Sequence, residues 1–328
     1  MDKLGILIAN TGSPSAPTPD AVRIYLREFL NDPRIRPMNP ILWKAILGAF
    51  ILPKRSVASA EKYQSIWTTQ GSPLSASMAS LARKLENNLD ECIVKETMSY
   101  GSPSMPDTLR ELRDAGCDQL IAIPLYPQSA YSTTGVVKDK LNAALAKLNW
   151  NPKLTFVENY WEQEAYLDAV ANSVLAAGFS KNDKLMIAFH SIPMRDVAAG
   201  DTYAEQAKVT AAEIANRLYL APDCWRIGFQ CRFDSRKWVG PFTTEALQHL
   251  QKSVGKLFVV APNFSIDCLE TLHDIEVTLR QNYLRINQDA SPDSFVYVPC
   301  LNDSDAHVHI LKTLIYPQEY KIHNERME

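Results

Sequence analysis

The stretch Lys184-Leu-Met-Ile-Ala-Phe-His190 runs through five consecutive apolar residues into a histidine, and Ser191-Ile192-Pro193 turns the chain away behind it. An apolar run without alternation reads as a strand covered on both faces. A histidine at its carboxyl end stands where open α/β sheets place their ligand crevice. Imidazole, with a reference pKa of about 6.5, can take a proton at neutral pH. His190 is therefore a candidate base, and the competing reading of this residue alone is a capped core histidine. A second constellation is Asp267, Glu270 and Asp274, at i, i+3 and i+7. That spacing places three carboxylates on one face of an α-helix. Carboxylates in a first turn often only cap it, but Glu270 and Asp274 lie beyond that turn. An acidic row beside a crevice could draw in a hard cation or carry protons away, and the alternative is a solvated helix face.

Strands and helices alternate along the chain, the pattern of a parallel α/β sheet. Strands are predicted over 4–10, 92–100, 119–125, 155–157, 184–189, 226–230, 257–261 and 294–298. Helices are predicted from Thr18-Pro19 to Leu30, then over 75–90, 106–115, 163–177, 204–219, 243–253, 266–284 and 304–314. Two strand–helix–strand pieces resemble each other, 97–128 and 226–264, and both Ile6–Asn10 and Met186–His190 end in a polar residue before a turn. Two similar lobes follow, 1–160 and 161–316, with a cleft between them and a polar tail at 317–328. Three further strand ends would face that cleft: Asn10-Thr11-Gly12-Ser13-Pro14, Tyr126-Pro127-Gln128 and Asn263-Phe264.

Several chemistries lack their motifs. The 12 glycines form neither G-x-G-x-x-G nor a Walker-type loop, and there is no G-x-S-x-G or H-E-x-x-H. A net charge of -3 carries no basic footprint for nucleic acid. The six cysteines show no C-x-x-C spacing, which reads as reduced thiols in a cytoplasmic protein. The first residues read as a strand and not as a signal peptide.

One segment is unusually greasy. From Asn39 to Pro53 only Lys44 is charged, and Lys54-Arg55 follow at once. Asn39 could cap a helix with Pro40 at its first position. Residues 41–52 then read either as a core helix or as an apolar lip that rests in a membrane interface or shields a greasy ligand.

Taken together, Gly5-Ile-Leu-Ile-Ala-Asn-Thr-Gly-Ser-Pro14, Tyr126-Pro-Gln128 with Ser132-Thr-Thr-Gly135, His190-Ser-Ile-Pro193, Phe229-Gln-Cys-Arg232 with Trp238, and Asp267-Cys-Leu-Glu-Thr-Leu272 resemble the ferrochelatase family. The resemblance runs in order from residue 4 to about residue 314. It implies two Rossmann-like lobes, each a parallel sheet flanked by helices, enclosing a porphyrin cleft. It implies an enzyme that inserts Fe(II) into protoporphyrin IX, the final step of haem synthesis, or into coproporphyrin III, with release of two protons.

By this resemblance His190 takes pyrrole protons or ligates the metal, and Glu270 assists proton or metal transfer. Asp267 and Asp274 match the neighbouring acidic track. Thr11, Tyr63, Tyr126, Ser191 and Trp238 match positions that hold the ring, and residues 41–52 match the family's lip, a peripheral membrane contact at the inner face. Many relatives read Gln-Ser-Arg where this chain has Gln230-Cys231-Arg232, which bears on any role for residue 231. Thr278 stands where some relatives continue the acidic row, so proton or metal transit would either pass through Glu276 or be weaker. The cysteine-bearing tail that holds a [2Fe-2S] cluster in animal members is not matched, so no cluster is expected. Competing readings are another tetrapyrrole chelatase and a non-catalytic porphyrin or haem carrier. The oligomeric state is not legible.

Overall fold

The computed structural model describes residues 3–232, 235–250 and 255–317. The expected tail after Pro317 and the end of the helix expected over 243–253 lie outside them. The chain divides into two units. One holds residues 3–125, 131–158 and 311–317, and the other holds 126–130 and 159–310. The segment 126–130 joins the second unit for a physical reason. The Gln128 amide donates to the Tyr166 hydroxyl at 3.1 Å and to Thr210 Oγ1 at 3.0 Å, and Ser129 N–H donates to Gln206 at 2.9 Å.

The first unit runs β1 (Leu4–Asn10), α1 (Pro19–Leu30), α2 (Pro40–Ile46), α3 (Leu52–Ile66), α4 (Pro73–Asn87), β2 (Cys92–Met98), α5 (Met105–Asp114), β3 (Gln119–Pro124), α6 (Thr134–Leu148) and β4 (Lys153–Phe156). Its four strands lie parallel in the order β2-β1-β3-β4. Local sequence sets the helix starts. Thr18 caps α1 by accepting from Ala21 N–H, with Pro19 in the first turn, and Ser104 does the same for α5 through Asp107 N–H. Val22, Tyr25, Leu26 and Leu30 then bury one face of α1. The pattern offers no helix between the third and fourth strands, and the structure has α6 there.

Pro53 does not stop the greasy helix. Residues Leu47–Ile51 form a π turn, in which Leu52 N–H reaches back to the Leu47 carbonyl, and α3 continues to Ile66. The widened turn absorbs the donor that proline lacks and the bulk of its ring. Trp43, Leu47 and Leu52 turn inward, with Trp43 Nε1 donating to the Leu30 carbonyl at 2.7 Å. Ile41, Leu42 and Phe50 turn outward at 82%, 56% and 72% exposure, so one face of this apolar segment is left uncovered.

The second unit runs α7 (Glu164–Ala176), β5 (Lys184–His190), α8 (Met194–Ala198), α9 (Tyr203–Arg217), β6 (Trp225–Gln230), α10 (Thr243–Leu250), β7 (Leu257–Val260), a π-helix (Glu270–Leu279), α11 (Arg280–Ile286), β8 (Phe295–Tyr297) and the start of α12 (Asp305–Ile315). Its strands are parallel in the order β6-β5-β7-β8, which repeats the first sheet strand for strand. The pieces that resemble each other in sequence occupy matching places: β1 with β5, β2 with β6, and β3 with β7. Asn10 and His190 therefore end equivalent interior strands. Gly228 on β6 lies close under α10, and a Cβ there would press on Thr243 Cα and Cγ2 at 3.0 Å. Ile275 and Leu279 of the π-helix pack on Met186, Leu257, Val259 and Phe295, which fixes that helix against the sheet.

Candidate functional site

In the second sheet the chain steps from β5 to β6 on one side and then to β7 on the other. The carboxyl ends of β5 and β7 therefore flank the topological switch point, where open sheets bind ligands. His190 ends β5 there, half-buried after five fully covered residues. Its Nδ1 lies 2.7 Å from the Ser191 carbonyl oxygen. A carbonyl only accepts, so Nδ1 carries the hydrogen and the neutral ring keeps its lone pair on Nε2. The buried Tyr203 hydroxyl donates to the His190 carbonyl at 2.8 Å, and burial pushes that phenol's pKa up, so it stays a donor. The Phe264 ring, just past β7, meets the imidazole edge-on with centroids 6.4 Å apart.

Ser191 and Trp238 belong to the same corner. Ser191 is buried and its hydroxyl donates to the Val239 carbonyl at 2.7 Å, so it clips the turn together. Pro193 and Trp238 form an isolated bridge, and the half-buried indole has the Arg236 guanidinium 5.5 Å from its centre. Tyr126 opens the 126–130 segment of this unit and is half-buried. Behind that segment the Tyr166 hydroxyl donates to the Pro262 carbonyl at 2.8 Å, and the Tyr160 and Ser265 hydroxyls bond at 2.8 Å. These bonds tie it to the loop after β7.

The acidic row is not the α-helical face that its spacing suggests. Asp267 lies before the helix begins and is only 7% exposed. Its Oδ1 accepts from the Tyr297 hydroxyl at 2.5 Å and from Thr271 Oγ1 at 3.0 Å, and its Oδ2 accepts from Asn302 Nδ2 at 2.7 Å. This carboxylate is the centre of a buried knot, and the row reduces to Glu270 and Asp274. In a π-helix hydrogen bonds run i→i+5, so residues four apart still overlie one another. Glu276 is committed elsewhere, its Oε1 accepting from Arg280 Nη2 at 2.6 Å. Among the described residues no three His, Cys, Asp or Glu side chains converge as metal ligands, so His190, Asp267, Glu270 and Asp274 do not form one preformed ligand set.

Thr11 and Tyr63 belong to the first unit. Thr11 follows Asn10 at the end of β1, its N–H donating to Asn10 Oδ1 at 2.8 Å and its carbonyl accepting from Tyr100 N–H at 2.9 Å. Gly12 next to it has φ +108°, and a Cβ there would stand 1.9 Å from the Tyr100 carbonyl oxygen, so only glycine fits. Tyr63, on α3, is 7% exposed, with its ring edge-on to Trp67 at 6.1 Å. Cys231, where the chain departs from Gln-Ser-Arg, has its thiol donating to Asp274 Oδ2 at 3.5 Å.

Residues 3–319 match the family model Ferrochelatase. The ferrochelatase of Herminiimonas arsenicoxydans is 40% identical over 95% of this chain and 85% of its own length. Ferrochelatase 1 of Shewanella oneidensis is 37% identical over 96% and 95%. Among solved structures, SirB from Bacillus subtilis with Fe3+ superposes with a TM-score of 0.58 at 11% identity, covering 97% of both chains. A multi-domain protein from Deinococcus radiodurans, described as similar to chelatases, gives 0.56 at 10% identity over 96% of this chain and 55% of its own. At such identities the structures show the shared chelatase fold alone.

Proposed function

Because the chain belongs to the ferrochelatase family and is a metal chelatase, we propose that it inserts Fe(II) into protoporphyrin IX, with His190 taking pyrrole protons. The ring centre holds two N–H protons, and a metal cannot enter until both leave. Each pyrrole nitrogen gives its proton to a base and its electron pair to the iron, so one Fe(II) enters and two protons depart. The observation that carries this reading is the Nδ1 contact with the Ser191 carbonyl, which leaves the basic lone pair on Nε2 at the end of β5. The backbone bond from Tyr203 supports the ring's placement at the strand end. Glu270 and Asp274 supply the anionic track along which the metal arrives or protons leave, hard oxygen donors suited to a divalent cation in transit. Tyr126 and Trp238 offer aromatic surface to a large π-system, and Thr11, Tyr63 and Ser191 are assigned to ring binding by the family resemblance. Ile41, Leu42 and Phe50, flanked by Lys44 and Lys54, make a peripheral contact with an anionic membrane, and no helix among the described residues is long and apolar enough to cross one.

The test follows the visible spectrum of protoporphyrin IX anaerobically with Fe(II), and with Zn(II) in parallel, for the wild type and His190→Ala. Loss of a positioned base lowers the rate by about 10²–10⁴, while porphyrin binding persists. Porphyrin bound by both proteins and metallated by neither would leave a carrier. The same spectra with coproporphyrin III decide which ring is preferred.

A further inference from the structure

The end of β6 touches both parts of the proposed chemistry. Gln230 is the in-register neighbour of His190, and its carbonyl accepts from Ser191 N–H at 2.8 Å. Its side-chain amide reaches the Glu270 carbonyl oxygen at 3.4 Å. One residue on, Cys231 sits at φ +65°, in the left-handed region that few side-chain-bearing residues adopt. That conformation carries its thiol to Asp274 Oδ2 at 3.5 Å. One dipeptide thus grips the strand that bears the base and the helix that bears the carboxylates.

We propose that Cys231 is a positioning residue for Asp274, its S–H orienting the carboxylate that handles the metal while Gln230 anchors the Glu270 backbone. The inference rests on the reading of Glu270 and Asp274 given above. A carboxylate turns readily about its last torsion, and a donor on one oxygen fixes its plane. A thiol is a weak donor, so it sets orientation without competing strongly with a cation for the oxygen. The residue acts through Asp274.

The experiment compares full-length wild type, Cys231→Ala and Cys231→Ser in steady-state Zn(II) insertion into protoporphyrin IX, reading kcat, the KM for metal and the KM for porphyrin, with a thermal melt of each. Alanine keeps the Cβ and the same backbone strain while deleting the donor. Its metal KM rises by roughly tenfold, at the low end for partners that orient metal-handling groups, with porphyrin KM and melting temperature unchanged. Serine restores the donor, and its metal KM stays within about twofold of wild type, since a hydroxyl donates at least as well. An alanine variant with wild-type metal KM overturns the proposal alone. Alanine and serine variants that both melt early and raise both KM values also overturn it, as a general structural role. A wild type that metallates nothing overturns the parent reading and this one with it.

Discussion

Asp267→Asn separates the buried knot from the metal track proposed for Glu270 and Asp274. The carboxylate is buried and takes the Tyr297 and Thr271 hydroxyls on Oδ1, with Cys300 N–H at 3.5 Å, and the Asn302 amide on Oδ2. Replacing Oδ2 by an NH2 group sets two donors face to face. Asn302 cannot turn its amide over to compensate, because its own Oδ1 already accepts Asp267 N–H at 2.9 Å. The opposite orientation of the new amide points its NH2 at Cys300 N–H instead. Either way a buried donor loses its acceptor, at about 1–3 kcal/mol, and the remaining bonds lose their charged partner. The expected loss is about 3 kcal/mol. At about 2–4 °C per kcal/mol for a unit of this size, the melting temperature falls by about 6–12 °C. The assay pairs urea and thermal denaturation with the metal KM, measured well below the transition. Unchanged stability together with a raised metal KM would refute the reasoning and return Asp267 to the track.

Two further outcomes follow from buried His307 and from the exposed apolar segment. His307 is fully buried, its Nδ1 is 2.5 Å from the Asn302 carbonyl, and burial pushes its pKa down to about 4. The unfolded chain therefore takes a proton near pH 6.5 that the folded one refuses until pH 4. Stability falls as pH drops through that window and levels off below it, by about 3 kcal/mol in all. Urea titrations at pH 7 and pH 5 should show about 2 kcal/mol more loss for wild type than for His307→Gln, and equal slopes would contradict this. For the lip, the double variant Ile41→Asp, Phe50→Asp should abolish co-sedimentation with vesicles containing anionic lipid, since each apolar side chain buried contributes about 1.5–3 kcal/mol. Undiminished binding would move the contact elsewhere.

Much of this was legible in residue order. The unbroken run into His190 located an interior strand and its end, and the repeated strand–helix–strand pieces pointed to two sheets of one design. What was hidden depends on backbone windings and distant partners. Spacing arguments assume an α-helical period, so the π-helix at Glu270–Leu279 and the π turn that carries the lip past Pro53 left no trace. Asp267 looked like the first member of a row because nothing in its neighbourhood announces Tyr297 and Asn302, about thirty residues away. Cys231 reads as an ordinary thiol until its backbone aims it at Asp274. The membership of Tyr126–Ala130 in the second unit depends on Gln128 finding Tyr166 and Thr210.

The two sheets share an order but not a loop length. Leu4 pairs with Cys92 across 88 residues, whereas Leu185 pairs with Trp225 across 40. The longer crossover contains α1 to α4 and with them the exposed apolar residues Ile41, Leu42 and Phe50. Chain-closure entropy grows only with the logarithm of length, about 0.6 kcal/mol for each doubling. Carrying four helices in that crossover therefore costs the first sheet less than one buried methyl-rich side chain returns. The crossover from β1 to β2 is thus the segment where this architecture can lengthen, trim or re-grease its outer surface while the strand pairing beneath stays the same.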